Sequence, residues 1–323
     1  MNNNFPKPNV FSSKCLGFDR CRWNGEIISV KFIETLQSHA NFITTCPEVE
    51  IGLGVPRDPI RVIFKDGALS LIQFNTRKNV SKLMNEFSEK FLNSLNDIDG
   101  FILKDRSPSC GIKDVKVYPS LEKSNVLYKT NGFFAGEVLK RFPMQAIETE
   151  TRLSNHSIRE HFLTKLFTIA RFRKLKSKLN MKGLIQFHAE NKLFLMASSQ
   201  KTLKIMGKIV ANHDKKNIRR VFEEYETYIA KALSCKPKYK SNINVIMHAF
   251  GYFSKYLSTK EKEFFLNILE EYRREQVPLS VPLKLSKAYI FRFEIGYLLQ
   301  QTFFSPYPLA LVDIKDSGKG RNH

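Results

Sequence analysis

Three of the five cysteines occupy the same local setting. Cys15 follows the run NVFSSK, Cys46 follows NFITT, and Cys110 follows FILKDRSPS. Each run reads as a β-strand, so each thiol sits just beyond a strand's C-terminal end. In a parallel sheet those ends lie along one edge, where open α/β folds build their sites. Positions 15, 46 and 110 then converge. Gly17, Pro47 and Gly111 follow closely; such residues bend the chain and expose backbone amides to whatever the sulfur holds. Three converging thiolates suit a soft metal centre, either zinc with a water or an iron–sulfur cluster with one iron lacking a protein ligand. Taken separately, the same residues are small buried hydrophobes.

Groups able to move protons lie beside these cysteines. Glu48 is two residues past Cys46, in CPEVEIGLGVPR, which ends on Arg57. Lys104, Ser107 and Ser109 fall within six residues before Cys110. Each has an ordinary role available: Glu48 as a helix N-terminal carboxylate, Lys104 as a solvated strand-end charge, Ser107 as a turn or cap residue. Together with the thiols they have the make-up of an active site.

The elements that must position these residues follow from periodicity. Residues 27–39 and 79–95 have helical spacing, the second placing Val80, Met84, Phe87 and Phe91 on one face. Residues 61–74 read as a hairpin turning at Asp66-Gly67. GFILK and VKVY are further strands, and 132–142 is a helix. This alternation predicts an α/β domain over 1–149, a mainly parallel sheet flanked by helices. The polar stretch IETETRLSN marks a boundary. From 150 to 323 the pattern is helical, over 156–179, 184–198, 218–233, 242–257 and 259–275, so the second domain is all-α. Two shorter helices surround Pro278 and Pro282, and the closing DSGKGRNH reads as disordered.

Of the net charge of +21, residues 1–150 carry +3 (20 basic, 17 acidic) and residues 151–323 carry +18 (32 basic, 14 acidic). That asymmetry points to a polyanionic partner for the second half, nucleic acid before a membrane surface. An odd cysteine count without C-x-x-C argues against a disulfide framework or a zinc ribbon. With no signal peptide and no apolar run of membrane-spanning length, a cytoplasmic protein is expected.

KCLG, TCPEVEIGLGVPR and FILKDRSPSCG resemble the signature segments of the thiouracil desulfidase family (TudS), over roughly residues 8–145. HSIREHFLTKLF, LIQFHAENKLFLMA, NVIMHAFGYFSKYLS, EEYRREQVPLSVPL and YLLQQTFFSPYP resemble the YbgA-type helical domain. The fusion is similar to RudS-type desulfidases, which act on 4-thiouridine in tRNA. The resemblance implies that Cys15, Cys46 and Cys110 hold a 4Fe–4S cluster whose open iron takes the thiocarbonyl sulfur. It implies non-redox, hydrolytic removal of that sulfur as sulfide, with Glu48 as base for the water and Lys104 and Ser107 positioning substrate or relaying protons. Free thiouracil-type bases are the alternative substrate, and a non-enzymatic nucleic-acid-binding or redox-sensing protein is the alternative class. Two features depart from the family: Asn75-Thr76-Arg77 stands where an Asp-Val-Thr segment is usual, and Cys21 stands where no cluster ligand is expected, reading as a spare thiol that, six residues from Cys15, is within reach of the site.

Thiolated tRNA as partner accounts for the charge split. Arg171, Arg173, Lys174, Lys176, Lys178 and Lys182 form a basic run without an acid, and KPKYK adds three more charges around a tyrosine. Such stripes track phosphates. No membrane and no obligate protein partner are expected. The pairs His188/Lys192 and His248/Tyr252, one turn apart, read as core or interface groups or as a polar site in the helical domain.

Overall fold

The computed structural model describes residues 5–122, 124–313 and 315. The chain forms two compact units, Pro6–Ala170 with the segment from Leu309, and Arg171–Pro308.

The first unit contains β1 (Asn9–Ser13), α1 (Lys31–Gln37), β2 (Asn41–Thr45), α2 (Pro47–Glu50), β3 (Ile60–Lys65), β4 (Ala68–Gln73) and α3 (Ser81–Ser94). It continues with β5 (Gly100–Leu103), β6 (Val115–Tyr118), β7 (Tyr128–Thr130), α4 (Phe133–Arg141), β8 (Ala146–Thr149) and the start of α5 (His156–Lys176). Strands β2, β1, β5 and β8 form a wholly parallel sheet in that order. The expected parallel sheet is therefore present, with helices around it. The remaining strands form a second, mixed sheet in the order β4-β3-β6-β7. Its hairpin β3–β4 turns at Asp66 (φ 52°) and Gly67 (φ 78°), as the sequence predicts.

Every residue of β5 is buried, and its Phe101 and Leu103 share one core with Val62, Leu71 and Val117 of the second sheet. Phe11, Phe101 and Phe134 meet at ring separations of 5.4–5.7 Å where β1, β5 and α4 pack together. Polarity suggests a boundary at 149, but packing carries this unit on to Ala170. Ile158, Phe162, Leu163 and Leu166 of α5 are buried. A Leu166 methyl lies so close over Gly100 that a Cβ there would meet it at 2.8 Å. Arg159, itself buried, donates to the carbonyls of Asp313 and Lys315 and ties the returning segment to this helix. The predicted disorder of 316–323 concerns residues outside those described.

The second unit is helical: the end of α5, then α6 (Met181–Glu190), α7 (Lys192–Ser198), α8 (Gln200–Ala211), α9 (Ile218–Leu233), α10 (Tyr239–Phe253), α11 (Thr259–Arg273), α12 (Ser280–Arg292) and α13 (Gly296–Leu299). It contains no strand among the described residues. Its centre stacks Phe172, Phe187, Phe222 and Tyr225. The predicted helix over 184–198 breaks at Asn191, whose amide donates to the Phe187 carbonyl and accepts from Thr302. Buried Gln301 spans the same break, bonding the Leu193 amide and the Ala189 carbonyl. His188 bonds the Tyr225 hydroxyl, a core arrangement in which burial pushes its pKa down. His248 packs edge-on to Tyr252 at an exposed position. Among the described residues no helix is long and apolar enough to cross a membrane.

Candidate active site

Parallel pairing sets Ser13 beside Thr45, and Ser12 beside Ile102, so β2, β1 and β5 end together. Cys46 follows β2 directly, Cys15 lies two residues past β1, and Cys110 is delivered by the loop after β5. All three thiols line one cavity of about 350 Å³. They are 5–8 % exposed. Glu48, Lys104 and Ser107 line the same cavity. The sheet edge thus gathers residues spread over ninety-five positions.

The cysteine-bearing loop Ser107–Gly111 is held by its backbone. The Gly111 amide closes on the Ser107 carbonyl, and the Ser107 hydroxyl accepts from the amides of Ser109 and Cys110. The start of α4 grips the loop from outside: Phe133 and Ala135 donate to the carbonyls of Pro108 and Ser109, and Gly132 donates to Gly111. This approach is close enough that a Cβ on Gly132 would lie 2.5 Å from the Ser109 backbone. Gly132→Ala is therefore expected to destabilise the protein by about 1–3 kcal/mol in urea unfolding. Gly136→Ala, one turn on, meets nothing nearer than 3.9 Å. It should stabilise by about 0.5–1 kcal/mol through helix propensity. Equal effects at the two positions would refute this view of the loop.

Glu48 is the hub of the polar groups. One oxygen accepts Arg57 Nε and Nη2 at 2.9 and 2.7 Å; the other accepts the hydroxyls of Ser109 and Ser107 at 2.9 and 3.3 Å. Arg57 is 3 % exposed. Its Nη1 donates to the carbonyls of Cys21 and Gly54, and its Nη2 approaches Cys46 Sγ at 3.7 Å. Burial opposes the guanidinium charge, but the Glu48 carboxylate outweighs it and raises the pKa. Lys104 donates to Glu150 and to the Asp105 carbonyl, so its ammonium is oriented by the end of β8. Sequence spacing names Arg57 and Ser109 as neighbours of the site. Only the fold makes them the partners that fill both oxygens of Glu48.

Cys21 stands where the sequence expects no cluster ligand, yet it does lie at the site. Read as a spare thiol, it is 4 % exposed and lines the cavity with the other three. Its hydrogen bond with the Cys15 thiol, together with burial, pushes its pKa up to about 11. The Cys21 thiol and then burial raise Cys46 far above the usual range. Burial raises Cys110 likewise, opposed by the hydroxyls of Ser13 and Ser107. Cys235 is exposed. Among the described residues no three His, Cys, Asp or Glu close on a single metal ion.

In the second unit the basic run divides. Arg171 is mostly buried, paired with Glu190 and set against the Phe187 ring; Lys176 pairs with Glu226. Arg173 is half-buried, whereas Lys174, Lys178 and Lys182 are exposed. The unit carries 26 basic and 11 acidic residues over 171–308, a net +15.

Comparison with known proteins places both units. Residues 10–150 match the family model described as 2-thiouracil desulfurase, and residues 192–308 match DUF1722, a family of unknown function. The uncharacterized protein YbgA of Escherichia coli (strain K12) is 27% identical over 158 residues, 48% of this chain and 93% of YbgA. The uncharacterized protein YbbK of Bacillus subtilis (strain 168) is 31% identical over 109 residues, 32% of this chain and 72% of YbbK. A solved structure titled [4Fe-4S]-dependent thiouracil desulfidase TudS is 22% identical with a TM-score of 0.36, covering 46% of this chain and 93% of TudS. The chain belongs to the 2-thiouracil desulfurase family, with a DUF1722 region following the desulfurase region.

Proposed function

We propose that this protein is an iron–sulfur-dependent desulfidase that converts 4-thiouridine in tRNA to uridine and releases sulfide. The observation that carries the chemistry is the gathering of Cys15, Cys46 and Cys110 on one cavity beside Glu48. The donor set fits a 4Fe–4S cluster: three buried thiols from separate chain segments, with Glu48 already engaged by Arg57 and two serines. Such a cluster supplies a soft iron, without a protein ligand, suited to a thiocarbonyl sulfur. Overall, water gives its oxygen to the ring carbon, the carbon–sulfur bond breaks, and no electrons are gained or lost.

The chain's own groups handle the proton and the orientation. Glu48 takes up the proton of the attacking water, and Ser107, partly exposed and hydrogen-bonded to it, is the group that joins the carboxylate to the open part of the cavity. Buried Ser109 and Arg57 keep the carboxylate fixed. Lys104, held by Glu150, presents its ammonium along the cavity wall.

The +15 unit supports tRNA as the substrate, through salt-dependent phosphate contacts. The three exposed lysines give the test. In the triple variant Lys174→Glu, Lys178→Glu, Lys182→Glu, turnover of bulk tRNA, followed by loss of 4-thiouridine near-ultraviolet absorbance, should fall at least tenfold. Turnover of free 2-thiouracil should stay within twofold. An unchanged tRNA rate removes these lysines from the interface. Wild-type protein that desulfurates only the free base establishes the second reading, a thiouracil-base desulfidase, which the family's description favours.

A further inference from the structure

Trp23 is the only tryptophan of the chain and lines the cavity that holds the four thiols. It is 47% exposed. Its backbone is held: the Trp23 carbonyl accepts the Arg57 amide at 2.7 Å, and the neighbouring Cys21 carbonyl accepts the Arg57 guanidinium at 3.0 Å. The turn closes from Gly25 to Arg22 at 2.9 Å, and Arg22 pairs with Glu26 at 2.6 Å. The ring itself is free. It makes no hydrogen bond, ring contact or cation–π contact among the described residues. A fixed main chain presenting an open indole at the wall of a reactive cavity is a ready stacking surface for a planar ligand.

We infer that the indole of Trp23 stacks on the pyrimidine ring of the thiolated substrate and holds it against the cysteine-lined end of the cavity. The inference rests on the desulfidase reading and deepens it by naming the residue that recognises the base. Two features support a base rather than another planar group. On the desulfidase reading the cavity takes a thiocarbonyl, and a pyrimidine carries that group in the plane of its ring. Arg57 links both ends of the device, holding the Trp23 loop with its amide and Glu48 with its guanidinium. Base orientation and the proton-accepting group thus share one anchor. Stacking on an aromatic side chain tolerates any pyrimidine, so discrimination against uridine is left to the sulfur.

Trp23→Ala and Trp23→Phe are prepared anaerobically in the full chain and checked for wild-type iron content and visible absorption. With 4-thiouridine 5′-monophosphate, Trp23→Ala should raise KM about tenfold to a hundredfold and leave kcat within threefold. Trp23→Phe should recover most of the loss. The same rise for free thiouracil and for tRNA locates the effect on the base rather than the backbone. The fluorescence lifetime of the single tryptophan in wild-type protein should change saturably as uridine 5′-monophosphate is added. An unchanged KM in Trp23→Ala overturns the inference, as does equal impairment of both variants at full iron content. If Trp23→Ala fails to retain iron, the lifetime titration and Trp23→Phe decide, and an unmoved lifetime overturns it. Wild-type protein that turns over no thiolated pyrimidine refutes the desulfidase reading instead, and the lifetime titration still answers for the stacking.

Discussion

Cys110→Ala should lose the ability to hold iron while the protein stays folded. In anaerobic reconstitution with iron and sulfide, bound iron should drop at least tenfold, and the visible thiolate-to-iron absorption should vanish with it. Activity should fall to background. Cys110 is one of three ligating thiols in the proposed site, and the fourth thiol of the cavity, Cys21, neighbours Cys15 and Cys46. The groups hydrogen-bonded to it are the hydroxyls of Ser13 and Ser107, which are poor ligands for a soft metal. Losing one small side chain from the cavity wall costs little stability, so urea unfolding should shift by only about 1 kcal/mol. Cys235→Ala is the control: its thiol is exposed and does not line the cavity, so iron content should not change. Retention of iron by Cys110→Ala would overturn the ligand assignment. Uptake also carries a pH sign. Cys46 and Cys110 have raised pKa values in the cluster-free protein, and both must lose protons to ligate. Apparent iron affinity should therefore rise with pH from 6 to 8, accompanied by proton release.

Arg57→Leu should be the most destabilising single change at the site, by about 3–5 kcal/mol in urea unfolding. Arg57 is 3 % exposed and Glu48 12 %, so the substitution strands a buried carboxylate and frees the carbonyls of Cys21 and Gly54 at once. Arg57→Lys should recover less than half. An ammonium cannot reproduce a fork that meets a carboxylate and two carbonyls together. The double variant Arg57→Leu, Glu48→Leu should be more stable than Arg57→Leu alone, because it removes the stranded charge. A double variant as unstable as the sum of the two single losses would contradict a direct pair. Glu48→Gln should keep iron and fold yet lose turnover by about a hundredfold or more, the usual worth of a positioned proton acceptor.

Much of this organisation is legible in residue order. The β3–β4 hairpin follows from Asp66-Gly67 between two alternating apolar runs, and α3 from its apolar spacing. The strand-end position of three cysteines is legible too: Cys46 follows its apolar run directly and Cys15 by two residues, while Cys110 comes in the loop that β5 opens. The division into two sheets is not. Strands β7 and β8 have three and four residues and carry polar side chains, too little pattern to distinguish from loop. The boundary at Ala170 is hidden for a related reason: α5 shows one continuous helical pattern whichever unit its apolar face is buried in.

The partnerships lie furthest from the sequence. A count of charge marks Arg171 and Lys176 as part of a basic stripe, yet Glu190 and Glu226 neutralise them from 19 and 50 residues away. Cys21 reads as a spare thiol until the turn between β1 and α1 folds it onto Cys15 and Cys46. Residue order by itself determined which types of side chain are present and which strands carry them, because those depend on local spacing. Tertiary structure alone decided that Arg57 holds Glu48, that a fourth thiol shares the cavity and that Trp23 is left open beside it. Those facts depend on distances between segments remote in the chain, set by the parallel sheet and its loops.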